Sequence, residues 1–300
     1  MERVFFSGGL SLSRIVHGQM RMGAWNQTAQ ERLAFLEELV AAGVTSFDHA
    51  DIYGNYTCEA LLGEALQLKP AFRNSIEIIT KCGIKLKSDK FPERTVKSYE
   101  YSYAHITQSV EQSLRNFGTD RIDLLLLHRP APFFDPSEVA WAFDDLKRAG
   151  KVLHFGVSNF LPGQVRMLQA YLAMPLATNQ VEISPWCHEH FDNGTIDYCL
   201  EKEMQPMSWS PLGGGRSFDP SDERGRRILN TLNEIAAENG AGSPASVALT
   251  WLMSHPAGIL PVVGSGRMER IRVAIDAQER EMTLEQWYRV WTAGTGTEVA

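Results

Sequence analysis

The sequence predicts an α/β protein whose eight parallel strands close into a single-domain (β/α)8 TIM barrel over residues 1–300, with its site at the C-terminal face of the strands. Short apolar runs alternate eight times with amphipathic helical stretches, which requires parallel pairing through right-handed crossovers. No linker rich in Pro, Gly or Ser divides the chain, and polar side chains follow the end of almost every apolar run. An open doubly wound sheet is the other possibility, but eight units without a break in composition favour the closed barrel.

The helical stretches carry start and stop signals. Thr28 can cap the first helix while Glu31 reaches back to it, and Gly43 can adopt the left-handed conformation that ends it. Asp135 followed by Pro136 is the usual order at the beginning of another helix. Further helices are predicted over residues 60–68, 103–117, 162–172, 195–202, 222–238, 244–254 and 267–277, and from 283 onward.

The predicted strands are short and apolar, and the fourth is a continuous run of the kind that is buried on both faces. Residues 85–101, after the third strand, are polar and aperiodic and are predicted to form a long loop. The predicted strands are residues 14–19, the beginning of 45–53, 75–81, 122–128, 153–157, 177–182, 205–209 and 259–263.

Composition and charge exclude several classes of function. The 300 residues are 44% hydrophobic and 22% charged, which is ordinary for a soluble globular chain. A net charge of −7 argues against a nucleic acid or an anionic membrane as the main partner. The apolar run near the N-terminus is too short for a signal peptide, and no later run approaches a membrane span. Four separated cysteines without a CxxC pair suggest neither a zinc ribbon nor disulfides, so we expect a cytoplasmic protein, with no obligate protein partner inferred.

The stretch 45–53 shows a strand that stops at a functional edge. Its apolar beginning gives way to Asp48, His49, Asp51 and Tyr53, which have no helical apolar period. Asp48 and Tyr53 are five residues apart, so Asp48 can end the strand while Tyr53 lies in the loop after it. A hydrogen-bonded loop anchor would explain this stretch equally well on its own. The ends of the other strands decide between the two interpretations.

The other strands end in the same way. In a barrel these ends converge on one face, where barrel enzymes keep their active sites. Each residue alone has a structural explanation, such as a snorkelling lysine, a core histidine or a turn asparagine, but that explanation would have to hold repeatedly on one rim. The residues at these ends are Lys81, His128, Ser158, Asn159, Asn179, Gln180, Glu182, Trp209, Ser210, Gly264, Ser265 and Arg267.

A tyrosine beside a lysine that is held by an aspartate can serve as a general acid. Bringing the phenol pKa from about 10 towards 7 needs roughly 4 kcal/mol of stabilisation of the phenolate. A nearby ammonium in a partly desolvated site can supply that amount. Tyr53, tuned by Lys81 and Asp48, would then give a proton to a carbonyl oxygen as hydride reaches the carbon. His128 can polarise the same oxygen.

The strand ends also offer groups that suit a carboxamide and a flat ring. The amide and hydroxyl groups of Ser158, Asn159 and Gln180 suit a neutral carboxamide, and the indole of Trp209 suits stacking on a flat ring. Aromatic walls indicate an aldehyde or ketone on an apolar or aromatic body. The residues expected to line such a substrate pocket are Trp25, Phe133, Phe134 and Trp186.

These residues lie in segments through which the chain resembles the aldo-keto reductase family, of the bacterial NADPH-dependent oxidoreductase type. No Rossmann GxGxxG follows a strand here, as expected for a family that binds NADPH on a barrel. The resemblance implies reduction of an aldehyde or ketone to the alcohol with NADPH or NADP+ as cofactor. The matching segments, in order along the chain, are FDHADIYG (47–54), IITK (78–81), RIDLLLLHRP (121–130), GVSNF (156–160), NQVEISP (179–185), SWSPLGGG (208–215) and SPASVALTWL (243–252).

By position, the resemblance places the family's catalytic tetrad on Asp48, Tyr53, Lys81 and His128. The implied contacts with the nicotinamide carboxamide and ring are Ser158, Asn159, Gln180 and Trp209. The implied contacts with the pyrophosphate are Ser210, Pro211, Leu212, Gly213, Gly214, Gly215 and Arg216. The implied contacts with the adenosine 2′-phosphate are Ser265, Gly266, Arg267 and Arg270.

The adenosine end departs from the family pattern. Gly264 stands where some members have a phosphate-binding lysine, and Val273 and Ala274 replace a Glu-Asn pair that some members use on adenine. In favour of a 2′-phosphate, Arg267 and Arg270 share one helix face at i and i+3 near the helix N-terminus. Arginine also grips phosphate oxygens in pairs. We therefore expect NADPH to be preferred over NADH.

Two alternatives remain open. A metal-dependent barrel hydrolase would use His49, Asp51 and His128 as ligands, because the i, i+2 spacing in a strand points two of them to one face. That interpretation leaves Lys81 and Trp209 unexplained. A regulatory subunit on the same fold, as some family members are, would bind cofactor with negligible turnover, which the intact tetrad argues against.

Overall fold

Eight parallel strands in a closed barrel form the centre of the structure, a computed structural model that describes residues 1–240 and 242–299. The predicted barrel is therefore confirmed. Among the described residues the strands are β1 (Arg3–Phe5), β2 (Ser11–Ser13), β3 (Val16–Gly18), β4 (Ser46–Asp48), β5 (Glu77–Cys82), β6 (Ile84–Lys85), β7 (Ser98–Tyr99), β8 (Ile122–Leu127), β9 (Val152–Ser158), β10 (Asn179–Glu182), β11 (Met207–Trp209) and β12 (Leu260–Val263). The order around the barrel is β10-β11-β12-β3-β4-β5-β8-β9.

Helices follow the barrel strands, and their capping signals work as predicted. Thr28 accepts a hydrogen bond from the Glu31 amide at 3.2 Å, and the Glu31 carboxylate accepts one from the Thr28 amide at 2.8 Å. No helix among residues 1–240 and 242–299 is long and apolar enough to cross a membrane. The helices are α1 (Ala29–Ala41), α2 (Tyr53–Tyr56), α3 (Cys58–Leu68), α4 (Tyr103–Phe117), α5 (Pro136–Arg148), α6 (Pro162–Gln169), α7 (Glu189–Asp192), α8 (Thr195–Glu201), α9 (Glu223–Asn239), α10 (Pro244–Met253), α11 (Met268–Ala277) and α12 (Leu284–Thr295).

The chain divides into two compact units, Met1–Asn179 and Gln180–Ala300. In the second unit, the indole N–H groups of Trp251 and Trp287 each donate to the other residue's carbonyl at 3.1 Å. The two rings stack with centroids 5.1 Å apart, which ties α12 to α10. The prediction of one domain over residues 1–300 stays a prediction.

Strand register in the first unit brings the ends of three strands to one face. In the parallel pair β4·β5, Asp48 lies opposite Ile79, so Lys81, two residues further, shares the face of Asp48. In the pair β5·β8, Lys81 lies opposite Leu126, so position 128 returns to that same face. Asp48, Lys81 and His128 therefore project on the same side at the carboxyl ends of three neighbouring strands.

Two parts of the chain in which no strand was predicted contain short strands. Residues 85–101, predicted as a long loop, contain three of the four residues of the antiparallel pair β6·β7, with Lys85 opposite Ser98. The first thirteen residues form the antiparallel pair β1·β2, and Gly8 and Gly9 take φ of 80° and 87° between its strands. Strands this short carry too little alternation for a sequence pattern to reveal them.

Candidate active site

A buried ion pair forms the centre of the predicted tetrad. The Lys81 ammonium donates to both carboxylate oxygens of Asp48 at 2.7 Å and to the carbonyl of His49 at 2.8 Å. It also donates to the Tyr53 hydroxyl at 3.2 Å. Burial alone would lower the pKa of Lys81, but the Asp48 carboxylate and Tyr53 outweigh it and raise the pKa above its usual value. Lys81 therefore stays charged beside the phenol.

The pKa of Tyr53 differs from the sequence-based expectation. Burial raises the pKa of the phenol above its ordinary value of 10, and the Lys81 ammonium only partly opposes that rise. The expected lowering towards 7 is therefore wrong, because removing the phenol from water raises its pKa by more than the ammonium lowers it. A phenol with a raised pKa is protonated at neutral pH, which is the form that can donate a proton.

His128 faces the tyrosine. The ring centroids of Tyr53 and His128 lie 5.9 Å apart in an edge-on arrangement with planes 79° apart. Burial, followed by the charges of Lys81 and Arg129, holds the pKa of His128 well below its usual value. The imidazole is therefore neutral at pH 7 and can donate one N–H hydrogen bond to a carbonyl oxygen without competing with the tyrosine as an acid.

The ligand set of the metal alternative does not converge. The ring of His49 packs edge-on against Phe117 at 5.2 Å, whereas the ring of His128 faces Tyr53. Within the described part of the chain, no group of three His, Cys, Asp or Glu side chains could hold a metal ion. Successive residues of a strand face opposite sides, and His49 directly follows Asp48. The side chain of His49 therefore points away from the face that Asp48 shares with His128.

Ser158 and Asn159 lie at the end of β9, beside the tetrad in the first unit. Asn159 takes a left-handed φ of 64°, which turns its side chain back onto the strand end. Its amide donates to the Ser158 hydroxyl at 2.8 Å and to the His128 carbonyl at 3.4 Å. Two of the predicted carboxamide contacts therefore lie next to the backbone of a tetrad residue.

The other predicted cofactor contacts belong to the second unit. Gln180 is buried in β10, and Trp209 ends β11, where it pairs in register with Glu182. Ser265 caps the turn before α11 by accepting from the Arg267 amide at 3.2 Å. Arg267 and Arg270 have exposed side chains, and neither forms an ion pair with another residue that the structure describes.

The glycine loop after β11 fits a phosphate group. A Cβ at Gly214 or Gly215, whose φ values are 65° and 99°, would meet no atom of the described residues within 4 Å, so the backbone is open to a ligand. The hydroxyl of Ser217 is buried and has no hydrogen-bond partner among the described residues. By contrast, a Cβ at Gly213 would lie 2.9 Å from that of Trp186, so the loop packs closely on one side.

Arg216, predicted as a pyrophosphate contact, is already engaged in this structure. Its guanidinium pairs with the Glu182 carboxylate at 2.7 Å and donates to the Gly213 carbonyl at 2.9 Å. It also lies over the ring of Trp186 at 5.2 Å. Arg216 thus holds the glycine loop, and a role on phosphate stays a prediction.

The predicted pocket aromatics have different environments. Trp25 packs edge-on against His17 and Phe35, both at 5.8 Å. Phe134 packs against Tyr101 at 5.6 Å, while its neighbour Phe133 is 94% exposed. Trp186 packs against the core of the second unit. Their lining of a substrate pocket stays a prediction.

Sequence reasoning missed what two residues contact beside the tetrad. The Tyr101 hydroxyl donates to the Arg129 carbonyl at 2.6 Å and accepts from its amide at 3.0 Å, which fixes the chain just after His128. Glu59 is buried and accepts hydrogen bonds from Thr80, Ser113 and Asn116 behind the strand that carries Lys81. These contacts join residues 21 or more positions apart, so no local pattern signals them.

Comparison with known proteins matches the whole chain. A model of the aldo/keto reductase family matches residues 14–293. The chain is 47% identical to the uncharacterized oxidoreductase YcsN of Bacillus subtilis and 44% identical to a 6-dehydroglucose reductase of Agrobacterium fabrum, covering 100% of both chains in each case. It is 45% identical to the oxidoreductase YdhF of Escherichia coli, over 97% of this chain and 96% of that protein. The crystal structure of the thermostable aldo-keto reductase Tm1743 shares the fold, with a TM-score of 0.82 and 23% identity over 98% of this chain and 100% of the other.

Proposed function

Because the chain belongs to the aldo/keto reductase family, we propose that it reduces an aldehyde or ketone to the alcohol with NADPH, with Tyr53 as the general acid. The observation that carries the proposal is the contact of one buried ammonium, that of Lys81, with both Asp48 and the Tyr53 hydroxyl. A charged lysine held in this way can stabilise the phenolate that forms when a neighbouring tyrosine gives up its proton.

Each tetrad residue has one task in this mechanism. NADPH, when bound, supplies the hydride. Neutral His128 donates a hydrogen bond that orients and polarises the carbonyl oxygen of the substrate. Tyr53 gives its proton to that oxygen as negative charge develops there. Lys81 stabilises the phenolate that remains, and Asp48 keeps the ammonium in place.

Cofactor binding is assigned to the residues that the family pattern indicates. In the first unit, Ser158 and Asn159 offer hydroxyl and amide groups for the carboxamide. In the second, Gln180 and Trp209 are assigned to the nicotinamide, the open backbone at Gly214 and Gly215 to the pyrophosphate, and Arg267 and Arg270 to the 2′-phosphate. The support is the family pattern, together with the open backbone at the two glycines and the exposure of the two arginines.

Two observations bear on the class of substrate, and they favour different classes. Aromatic side chains at Trp25, Phe133 and Phe134 favour a carbonyl on an apolar or aromatic body. The 6-dehydroglucose reductase of Agrobacterium fabrum, at 44% identity, acts by its name on a sugar aldehyde. We therefore place the substrate among aldehydes and ketones and include both types in the test.

A carbonyl panel tests the proposed function. NADPH oxidation is followed with aromatic aldehydes, aliphatic ketones and a hexose 6-aldehyde, with NADH in parallel. We expect turnover with at least one carbonyl class, and we expect Tyr53→Phe to remove it. Tight NADPH binding without turnover on any member of the panel would instead support the regulatory-subunit alternative.

A further inference from the structure

The chain takes an unusual path directly after Tyr53. Gly54, Asn55 and Tyr56 have φ values of 58°, 54° and 64°, so three successive residues are left-handed. This conformation is unfavourable for residues other than glycine, and an aromatic residue seldom adopts it. Strained backbone of this kind persists only where the surrounding structure determines it.

At Asn55, contacts with the loop of residues 86–94 hold the strained backbone in place. The Asn55 amide donates to the Asp89 carboxylate at 2.8 Å, and its side-chain carbonyl accepts from the Ser88 hydroxyl at 2.6 Å. The side chain is thus bound at both its donor and its acceptor atoms. Asn55 and the Asp89 carboxylate lie 34 positions apart in the chain, so the contacts join two separate loops.

The same loop holds Tyr56 more extensively. The Tyr56 hydroxyl accepts hydrogen bonds from the Leu86 amide and the Arg94 guanidinium, both at 2.9 Å. Its ring packs edge-on against Phe91 at 4.9 Å. The guanidinium of Arg94 lies 3.6 Å from the centre of the Phe91 ring, so that one arginine joins both aromatic residues.

The holding loop begins at the strand that carries Lys81. β5 ends at Cys82, β6 follows at Ile84, and the loop 86–94 leaves from there. The loop therefore continues from the strand that carries Lys81, and its side chains contact the turn that follows Tyr53. The loop closes a ring of contacts around the 3.2 Å separation of Lys81 Nζ and Tyr53 Oη.

We propose that the loop 86–94 positions Tyr53 for catalysis. Arg94 is the main positioning residue and acts through Tyr56. Asp89 acts in the same way through Asn55. The inference rests on the proposed function, since it deepens the role assigned to Tyr53. None of these four side chains is assigned to substrate or cofactor. They act by fixing where the phenol hydroxyl stands.

The variants are chosen to loosen the turn without breaking the fold. Arg94→Met removes the contacts with Tyr56 and Phe91 while keeping side-chain length, and Lys87→Met removes a charge from the same loop at an exposed position as the matched control. Asn55→Gly removes both side-chain contacts of Asn55 while glycine accepts the left-handed backbone freely. Thermal midpoints confirm that each variant is folded at the assay temperature.

We expect Arg94→Met and Asn55→Gly to lower kcat by about ten- to a hundredfold, because small misplacement of a catalytic group costs that much. The affinity of both variants for NADPH should stay at the wild-type value, and so should kcat of the Lys87→Met enzyme. In a Tyr53→Phe background, Arg94→Met should cause no further loss, since the group it positions is gone. An Arg94→Met and an Asn55→Gly enzyme with wild-type kcat would overturn the proposal.

A second measurement does not depend on turnover. The 13Cζ resonance of Tyr53, assigned by its loss in Tyr53→Phe, should move in Arg94→Met and Asn55→Gly and stay in place in Lys87→Met. An unmoved resonance in both loosened variants would overturn the positioning role. A wild type that binds NADPH but reduces no carbonyl would contradict the proposed function, whereas a moved Tyr53 resonance would still support the role of the loop.

Discussion

Both carboxylate oxygens of Asp48 lie 2.7 Å from the ammonium nitrogen of Lys81, and the two side chains are only 3% and 1% exposed. Removing one partner of such a pair leaves the other charge buried without compensation, which typically costs about 3–5 kcal/mol of stability. Burying the two charges also carries a desolvation penalty that apolar residues of similar volume avoid, so the pair is a costly way to hold a lysine. Its position beside Tyr53 fits the role that we propose for the phenol.

The first prediction concerns the charge of Lys81. The ammonium opposes the burial that raises the pKa of Tyr53, so Lys81→Met should raise that pKa further. Reduction requires the protonated phenol, so the basic limb of the pH–rate profile should move to higher pH, or activity should be lost. Asp48→Asn should be milder, because it loosens the lysine without removing its charge. A Lys81→Met enzyme with an unchanged pH profile would refute the coupling.

The second prediction concerns the acid itself. Tyr53→Phe removes the hydroxyl that Lys81 contacts and should abolish most of kcat, because that hydroxyl is needed only in the chemical step. NADPH affinity, measured by quenching of protein fluorescence, should be almost unchanged. Tyr171→Phe provides a comparison, since it removes a tyrosine hydroxyl at a side chain that is 55% exposed and leaves Tyr53 and its neighbours intact. Near-normal turnover by Tyr53→Phe would mean that another group donates the proton.

The third prediction concerns cofactor choice. The exposed Arg270 should contact the 2′-phosphate, so Arg270→Ala should weaken NADPH binding by about 1.5–3 kcal/mol, or roughly ten- to a hundredfold. NADH binding should not change, because it lacks that phosphate. Arg272→Ala, a neighbouring arginine outside the predicted face, is the control. Equal weakening of both cofactors would show that the 2′-phosphate binds elsewhere.

The fourth prediction concerns stability and pH. Burial raises the pKa of Asp51 well above its usual value, and its Oδ1 has no hydrogen-bond partner among the described residues. A carboxyl whose pKa is higher in the folded than in the unfolded protein makes its full contribution to stability at pH below the unfolded pKa. That contribution is lost as pH rises towards the folded pKa. Asp51→Asn removes this loss, so its free energy of unfolding relative to wild type should increase as pH rises above about 4.

Urea denaturation at several pH values between about 4 and 8 measures the effect of Asp51→Asn. The gain is bounded at about 1.4 kcal/mol for each pH unit over which the folded carboxyl stays protonated and the unfolded one is charged. Asp120→Asn, at a side chain that is 88% exposed, is the control and should show no such trend. A difference between Asp51→Asn and wild type that does not vary with pH would contradict the burial argument.

The parts of the site that depend on chain order were predictable. Asp48, Lys81 and His128 each stand at the end of an apolar run, and parallel strands bring such ends together whatever their exact bounds. The run of glycines at residues 213–215 was also visible, and two of them, Gly214 and Gly215, have open space where a Cβ would stand.

What depended on distant parts of the chain was not predictable. The pKa of Tyr53 is set mainly by burial, which is a property of everything packed around the phenol, whereas the sequence showed only the nearby charges. Arg94 and Tyr56 are 38 positions apart, and their contact leaves no mark on either segment. The pair β1·β2 was missed although Gly8 and Gly9 mark its turn, because each strand has only three residues.

The strand register of the first unit makes the site sensitive to insertions and deletions. Lys81 faces Asp48 only because it stands two positions, an even number, after Ile79, the partner of Asp48 in the pair β4·β5. Adding or deleting one residue between Ile79 and Lys81 would turn the ammonium outward, although every residue type of the tetrad would still be present. Changes in length at the surface turn of Gly150, where a Cβ would meet no described atom within 4 Å, leave this parity intact. In descendants of this chain, therefore, length should be far more tightly inherited in β5 than in the turns that precede the strands.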